Sequence, residues 1–201
     1  IGTGRLDVVS MGLLVDDETD ALMWRGLILN RAVQHFLEDV SWASDLDYIV
    51  VDLPPGTGDV QMGLARMLPQ AEMIVVTTPA VGAQRVATRA VTMARKSHLH
   101  VLGVIENMSA FTCEHGHTHA VFGEGGGARM AEQYGVELLG QLPLARQIRE
   151  QMDTGQPTVA ADPDSPAAVA YRGIARKAAA RLSQQARNKN IGIPNIVIQN
   201  T

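Results

Sequence analysis

The residues best suited to chemistry lie in one run, Tyr48-Ile-Val-Val-Asp-Leu-Pro-Pro-Gly-Thr-Gly-Asp59. Its apolar start predicts a buried strand, so Asp52 should emerge at the carboxyl end, where open α/β sheets bind ligands. A carboxylate there is costly unless it meets a cation, and the corresponding Asp of nucleotide hydrolases meets Mg²⁺. The run predicts a magnesium and phosphate site. The alternative is that Asp52 and Asp59 only cap the next helix.

The turn after Asp52 has residue types that suit phosphate binding. Pro54 and Pro55 make the backbone of the turn rigid. Gly56 lets the backbone come close enough for an N–H group to sense a γ-phosphate. Thr57 and Asp59 then lead into a helix.

A second candidate site lies in about twenty residues that separate the strand ending near residue 106 from the helix starting near residue 126. An insertion this long in a compact α/β domain is more often functional than filler. It contains Cys113, His115, His117 and His119, whose thiolate and imidazole groups suit zinc or iron. We predict a metal site with Cys113 as its best ligand. The alternative is an inert cysteine beside solvated histidines.

The glycine string Gly123-Glu-Gly-Gly-Gly127 follows the histidines. Its spacing matches a dinucleotide-binding loop only weakly. We interpret it as a flexible hinge between the insertion and the next helix.

The elements that must position these residues alternate along the chain. Buried apolar runs predict strands at 6–10, 48–53, 73–77, 101–106 and 137–142. Between and after them, helices are predicted at about 20–39, 59–68, 82–96, 126–134, 144–153 and 165–187, the last one capped by Ser165-Pro166. This order predicts an α/β fold in three layers, a mostly parallel sheet with helices on both faces. The domain would span 1–187, with an insertion at about 108–125 and an extended tail at 188–201.

Composition limits the classes of function. The chain has 201 residues, 46% of them hydrophobic, and one cysteine, so we expect one domain without disulfides in a reducing, cytoplasmic compartment. It has no apolar run of membrane-spanning length and no signal-peptide pattern, so no membrane association is expected. Residues 171–201 contain six basic residues and no acidic one, whereas the first 170 residues carry a net charge of −10. That acidic body argues against nucleic-acid binding.

Several motifs together resemble the Mrp/Nbp35 (ApbC) family of iron–sulfur cluster carriers, deviant P-loop ATPases akin to MinD, ParA and the nitrogenase iron protein. The similarity covers about residues 5–185. The motifs are Asp52-Leu-Pro-Pro-Gly-Thr-Gly-Asp59, Trp24-Arg-Gly26, Val76-Thr-Thr-Pro79, Glu106-Asn-Met-Ser109, Phe122-Gly-x-Gly-Gly126 and Leu139-Gly-x-Leu-Pro-Leu144.

The resemblance implies roles at matching positions in ATP binding and hydrolysis. Asp52 would be the Walker B ligand to Mg²⁺, and the turn at 54–58 would be the switch that senses the γ-phosphate. Asn107 matches the position that reads the adenine edge, and Pro143 matches the one that flanks the base. We therefore predict Asp52, Gly56 and Asp59 as catalytic residues, and the nucleotide contacts as Asp52, Pro54, Gly56, Thr57, Asn107 and Pro143.

The resemblance also implies a bridging [4Fe–4S] cluster held by a homodimer, with a Cys-x-x-Cys pair from each subunit. Here the second cysteine position is Gly116, so two copies supply only two thiolates. His115 and His117 are close enough in sequence to complete a mixed site with Cys113, for iron or for zinc.

No Gly-x-x-x-x-Gly-Lys-Ser/Thr loop occurs in the sequence. Family members carry their phosphate-binding loop upstream of where this chain begins, so we expect an N-terminally truncated member that lacks the first strand and binds ATP weakly. The leading interpretation is an ATP-dependent carrier that delivers clusters to apo iron–sulfur proteins. The alternatives are a non-hydrolysing metal-binding or protein-binding scaffold and a positioning ATPase like MinD or ParA.

Overall fold

The computed structural model describes residues 4–14, 27–53 and 58–191. These residues form a short 3-10 helix at Met11–Leu14, followed by seven α-helices and five strands. In chain order they are α1 (Leu27–Glu38), α2 (Asp59–Met67), β1 (Glu72–Thr77), α3 (Val81–Lys96), β2 (His100–Glu106), β3 (Phe111–Thr112), β4 (Thr118–His119), α4 (Gly126–Tyr134), β5 (Glu137–Gln141), α5 (Arg146–Asp153), α6 (Thr158–Ala161) and α7 (Pro166–Ile191). The chain divides into a first unit, Ile1–Ala71 with Thr88–His100, and a second unit, Glu72–Ala87 with Val101–Thr201.

The second unit is built on a three-stranded sheet in the order β1-β2-β5. Strands β2 and β5 pair in parallel, with Gly103 opposite Glu137, and the register shifts between Val104 and Ile105. Val104 is fully buried and Leu139 is 1% exposed, as expected of apolar runs in a parallel sheet. The strands predicted at 73–77, 101–106 and 137–142 are confirmed, and with the alternating helices they confirm the α/β fold.

Helix α7 packs along β5. Gly140 leaves no room for a side chain, because an added Cβ would lie 2.5 Å from Ile174 Cγ1. Ile174 is buried with Leu139 and Leu142. The predicted start is confirmed, since the Ser165 hydroxyl accepts the Ala168 N–H at 3.2 Å.

The end of α7 differs from its prediction. The helix runs to Ile191, past the expected end at 187, so the proposed extended tail is wrong for residues 188–191. The residues that break helices, Gly192 and Pro194, come only after this point. Residues 192–201 lie outside the described part.

The first unit contains α1, α2 and part of α3. Helices α1 and α2 pack so closely that an added Cβ at Gly63 would lie 2.6 Å from Asn30 Oδ1. Val60 and Leu64 of α2 are buried here, and Val91, in the part of α3 that belongs to this unit, is fully buried. The helix predicted at 20–39 is observed as α1, and its first residues, 20–26, lie outside the described ranges.

The strands predicted at 6–10 and 48–53 are wrong for the described chain. Neither segment forms regular secondary structure, and neither pairs with a strand within residues 4–14, 27–53 and 58–191. Leu6 is 65% and Val50 is 92% exposed. Apolar β-branched residues favour a strand only where a neighbouring strand supplies hydrogen bonds, and no strand in the described part of the chain pairs with these segments.

Among the described helices, none combines the length and apolar character needed to cross a bilayer.

Candidate functional site

Asn107 begins the segment that leaves the carboxyl end of β2. Its backbone N–H donates to Thr77 O at 2.7 Å, so the ends of β1 and β2 stay joined at this point. Its side-chain Oδ1 accepts the N–H of Met108 at 2.9 Å, and Met108 has the left-handed φ of 53°. The Asn107 amide is therefore held at the sheet edge by its own turn.

Pro143 follows a residue that is hydrogen bonded to the same segment. The Leu142 N–H donates to Glu106 O at 2.8 Å. In return, the Ser109 N–H and hydroxyl both donate to Leu142 O, at 2.9 and 3.0 Å. The structure thus places Asn107 and Pro143 on two adjacent backbone segments of the second unit, as a site that reads and flanks one base would need.

The predicted insertion contains a β-hairpin. Strands β3 and β4 pair antiparallel, with Phe111 opposite His119. The turn is closed by two hydrogen bonds of 2.9 Å, from Cys113 N–H to His117 O and from Gly116 N–H to Cys113 O. Gly116 has a φ of 81°, a conformation that favours glycine. The residue at the expected second cysteine position therefore has a structural reason to be glycine.

The predicted metal ligands lie on this turn. Cys113 is half-buried, whereas His115 and His117 are exposed. Among the residues that the structure describes, no three His, Cys, Asp or Glu side chains are grouped so that they could hold a metal ion. Because the exposed histidines of the turn do not converge with Cys113 within one chain, the ligand set Cys113, His115 and His117 stays a prediction.

The hairpin is tied to the segment that carries Pro143. Phe111 forms a parallel bridge with Leu144, and the Leu144 N–H donates to Ala110 O at 2.9 Å. The candidate base site and the candidate metal turn therefore share one hydrogen-bonded scaffold in the second unit.

Glu106 is a residue of this scaffold to which the sequence analysis gave no role. Its side chain, at the end of β2, is 1% exposed. Oε2 accepts the Gly127 N–H and Oε1 accepts the Gln141 Nε2–H, both at 2.6 Å. One feature of the sequence could have indicated this role, namely a carboxyl group at the end of an apolar strand. A buried polar group needs hydrogen-bond partners, so a carboxyl group at that place indicates a tertiary contact.

The glycine string is packed rather than hinge-like, so that interpretation is wrong for its last two members. Gly126 and Gly127 are buried in the first turn of α4. An added Cβ would lie 2.9 Å from Pro79 Cα at Gly126 and 2.7 Å from Glu106 Cβ at Gly127. These glycines let the start of α4 approach the ends of β1 and β2.

The predicted magnesium and phosphate residues belong to the first unit. Asp52 is exposed near the end of the 48–53 segment, which has no regular secondary structure. Asp59 is the first residue of α2, after Gly58 in the capping position. Pro54, Gly56 and Thr57 lie outside the described residues, so the catalytic assignments stay predictions.

Solved structures with this fold define its class. A nucleotide-binding protein from Archaeoglobus fulgidus, in complex with ADP and with cobalt found in it, is 33% identical with a TM-score of 0.57, over 65% of this chain and 54% of that one. The septum site-determining protein MinD from Pyrococcus horikoshii, complexed with Mg-ADP, is 25% identical with a TM-score of 0.54, over 80% of this chain and 58% of that one. The chain thus has the fold of a P-loop NTPase.

Sequence comparisons identify the family. The ParA model described as NUBPL iron-transfer P-loop NTPase matches residues 1–179. Proteins named iron–sulfur cluster carrier protein are 48% identical in Pseudomonas fragi, over 85% of this chain and 59% of the relative, and 43% identical in Escherichia coli K12, over 88% and 47%. This chain belongs to the iron-transfer P-loop NTPase family. It spans about half the length of these relatives.

Proposed function

We propose that this chain binds iron–sulfur clusters and passes them to apo-proteins, with ATP binding and hydrolysis controlling release in the complete protein. The observation that carries the proposal is the shared scaffold. The Cys113 hairpin is connected to the same hydrogen-bonded backbone segments as Asn107 and Pro143, the candidate base-binding residues. The hydrogen bonds between Ser109 and Leu142 join these segments. A nucleotide bound at one end would act on the thiol at the other.

The cluster is the cargo, and one chain offers too few ligands for it. Cys113 is the only thiol, so a symmetric dimer supplies two thiolates, and His115 or His117 of each copy would complete four ligands. Exposure of this turn leaves it accessible to a second copy. The proposal therefore includes a homodimer with mixed Cys and His ligation. The cobalt found in the Archaeoglobus fulgidus protein supports metal binding by this fold.

The base contacts we propose are Asn107 and Pro143 of the second unit, and the magnesium ligand we propose is Asp52 of the first unit. The Asn107 amide has a donor for adenine N7, and its Oδ1 retains a second lone pair for the adenine amino group beside the Met108 N–H. Pro143 would flank the base. Asp52 would hold Mg²⁺, which supplies charge neutralisation when bound.

Hydrolysis of ATP would be phosphoryl transfer to water, in which the protein positions groups and stabilises charge. We assign Gly56 to the γ-phosphate switch at 54–58 and propose Asp59, with Asp52, as a further catalytic residue. The sequence has no Gly-x-x-x-x-Gly-Lys-Ser/Thr loop to cradle the phosphates. ATPase activity is therefore proposed for the complete protein.

Anaerobic reconstitution with iron and sulfide tests cluster binding. We expect visible absorbance from bound cluster that is lost in Cys113→Ala and reduced in the double variant His115→Ala and His117→Ala. Glu124→Ala, at an exposed position of the same insertion outside the hairpin, is the control and should keep the absorbance. Absence of a cluster in the wild-type chain, or its full retention in Cys113→Ala, would contradict the proposal.

A non-hydrolysing scaffold is the second candidate, since residues 1–201 contain no Gly-x-x-x-x-Gly-Lys-Ser/Thr motif. An ATPase assay on this chain joined to the upstream part of the Pseudomonas fragi relative separates the two. Turnover that is lost in Asp52→Asn supports the ATPase, whereas a cluster-binding fusion with no turnover supports the scaffold.

A further inference from the structure

The two ends of the insertion that carries Cys113 contact each other, and we call this contact the neck of the insertion. The chain leaves the sheet after Glu106 and returns to the fold at the start of α4, whose first two residues are Gly126 and Gly127. The side chain of Glu106 accepts the backbone N–H of Gly127 at 2.6 Å. This hydrogen bond joins the two ends of the insertion, in addition to the contacts of Ser109, Ala110 and Phe111 with the segment after β5.

The neck is tightly packed on its inner side. Glu106 is 1% exposed. A Cβ added to Gly127 would lie 2.7 Å from Glu106 Cβ, so glycine is needed for this approach. Removing the carboxyl oxygens would leave the buried Gly127 N–H without its acceptor.

The other oxygen of Glu106 links the neck to β5. It accepts the Nε2–H of Gln141, the last residue of that strand, at 2.6 Å. Gln141 stands two residues before Pro143 of the candidate base site. The Glu106 side chain, which directly precedes the insertion, thus contacts both the start of α4 and the end of β5.

We propose that Glu106 is a positioning residue that fixes the orientation of the Cys113 hairpin by closing the neck of its loop. It touches neither nucleotide nor cluster and acts through Gly127 and Gln141. The consequence for cluster binding rests on the proposed carrier function. The expectation that the hairpin moves more freely when the neck opens is independent of that function.

Cys113 is the only cysteine, so a nitroxide attached to it reports on the hairpin without background. In Glu106→Met the neck loses both acceptor oxygens, and we expect the rotational correlation time of the label to fall by about twofold or more. Glu106→Gln should stay close to wild type. Its oxygen can accept from Gly127, and Gln141 can turn its own amide oxygen towards the new NH₂ group.

The matched control is Glu132→Met, the same substitution at an exposed position of α4. Its spectrum should equal that of wild type, and all spectra are recorded at a temperature where melting curves show each variant folded. A Glu106→Met spectrum identical to wild type, or a Glu106→Gln spectrum as mobile as Glu106→Met, would overturn the proposal.

If Glu106→Met does not fold, hydrogen exchange in the wild-type chain decides. The Gly127 N–H should be as protected as the amides within β2, and exchange at the rate of an exposed amide would refute the closed neck. None of these readouts needs a cluster. If the wild-type chain binds no cluster but the label in Glu106→Met is more mobile, the carrier function is rejected and the positioning role of Glu106 is kept.

Discussion

Ser109 donates two hydrogen bonds to the carbonyl oxygen of Leu142, from its N–H at 2.9 Å and from its hydroxyl at 3.0 Å. This contact joins the segment that follows β2 to the one that follows β5, 33 residues later in the sequence. Asn107 lies two residues before Ser109, and Pro143 directly follows Leu142. The double hydrogen bond therefore fixes the distance between the two candidate base-binding residues.

Ser109→Ala removes only the hydroxyl half of this contact. Because the backbone bond remains, we expect a loss of about 1 kcal/mol in the free energy of unfolding, measured by urea denaturation. Ser183→Ala, on the exposed face of α7, is the control and should show no such loss. Equal stability of the two variants would mean that the hydroxyl bond contributes nothing.

Gly127→Ala tests the close approach of α4 to β2. The new Cβ would meet Glu106 Cβ at 2.7 Å, so we expect destabilisation of about 1–3 kcal/mol in urea denaturation. Gly173→Ala is the matched control within α7, where an added Cβ meets nothing within 4 Å. There alanine should stabilise by up to about 1 kcal/mol, since it has the higher helix propensity. Similar effects at both positions would argue against a packed neck.

Gly116→Cys restores the Cys-x-x-Cys spacing. We expect more iron and sulfide bound per chain after reconstitution, because a dimer then offers four thiolates. The φ of 81° should cost about 1–2 kcal/mol of stability for any L side chain. Gly116→Ala carries the same strain without the thiol, so it should lose stability and gain no iron. Equal iron content in both variants would place the cluster elsewhere.

ATP binding by the 201-residue chain should be weak. Without a phosphate-cradling loop in the sequence, Asn107 and Pro143 can contribute only base contacts, and we expect a Kd above about 1 mM by calorimetry. A submillimolar Kd would show that this chain has a phosphate site that its sequence does not reveal.

The sequence predicted those elements whose pattern is local. Buried apolar runs located β1, β2 and β5, and the Ser165-Pro166 signal located the start of α7. The strands expected at 6–10 and 48–53 carry equally apolar residues, but a strand also needs a partner, which a local pattern does not reveal.

The candidate site was predicted by residue type but not by arrangement. Strands β3 and β4 have two residues each, which is too few to show a periodic pattern. The hairpin that carries Cys113 was therefore not predicted. Glu106 was missed because its partners, Gly127 and Gln141, lie 21 and 35 residues away in sequence. Both features depend on tertiary contacts.

Cluster transfer to an apo-protein tests the proposed carrier function directly. The reconstituted chain is mixed anaerobically with an apo-ferredoxin in the presence of an iron chelator, and the circular dichroism of the formed holo-ferredoxin is followed. We expect transfer that the chelator does not block and that the Cys113→Ala protein, treated in the same way, does not support. Transfer that the chelator abolishes, or that Cys113→Ala supports equally well, would contradict the carrier function.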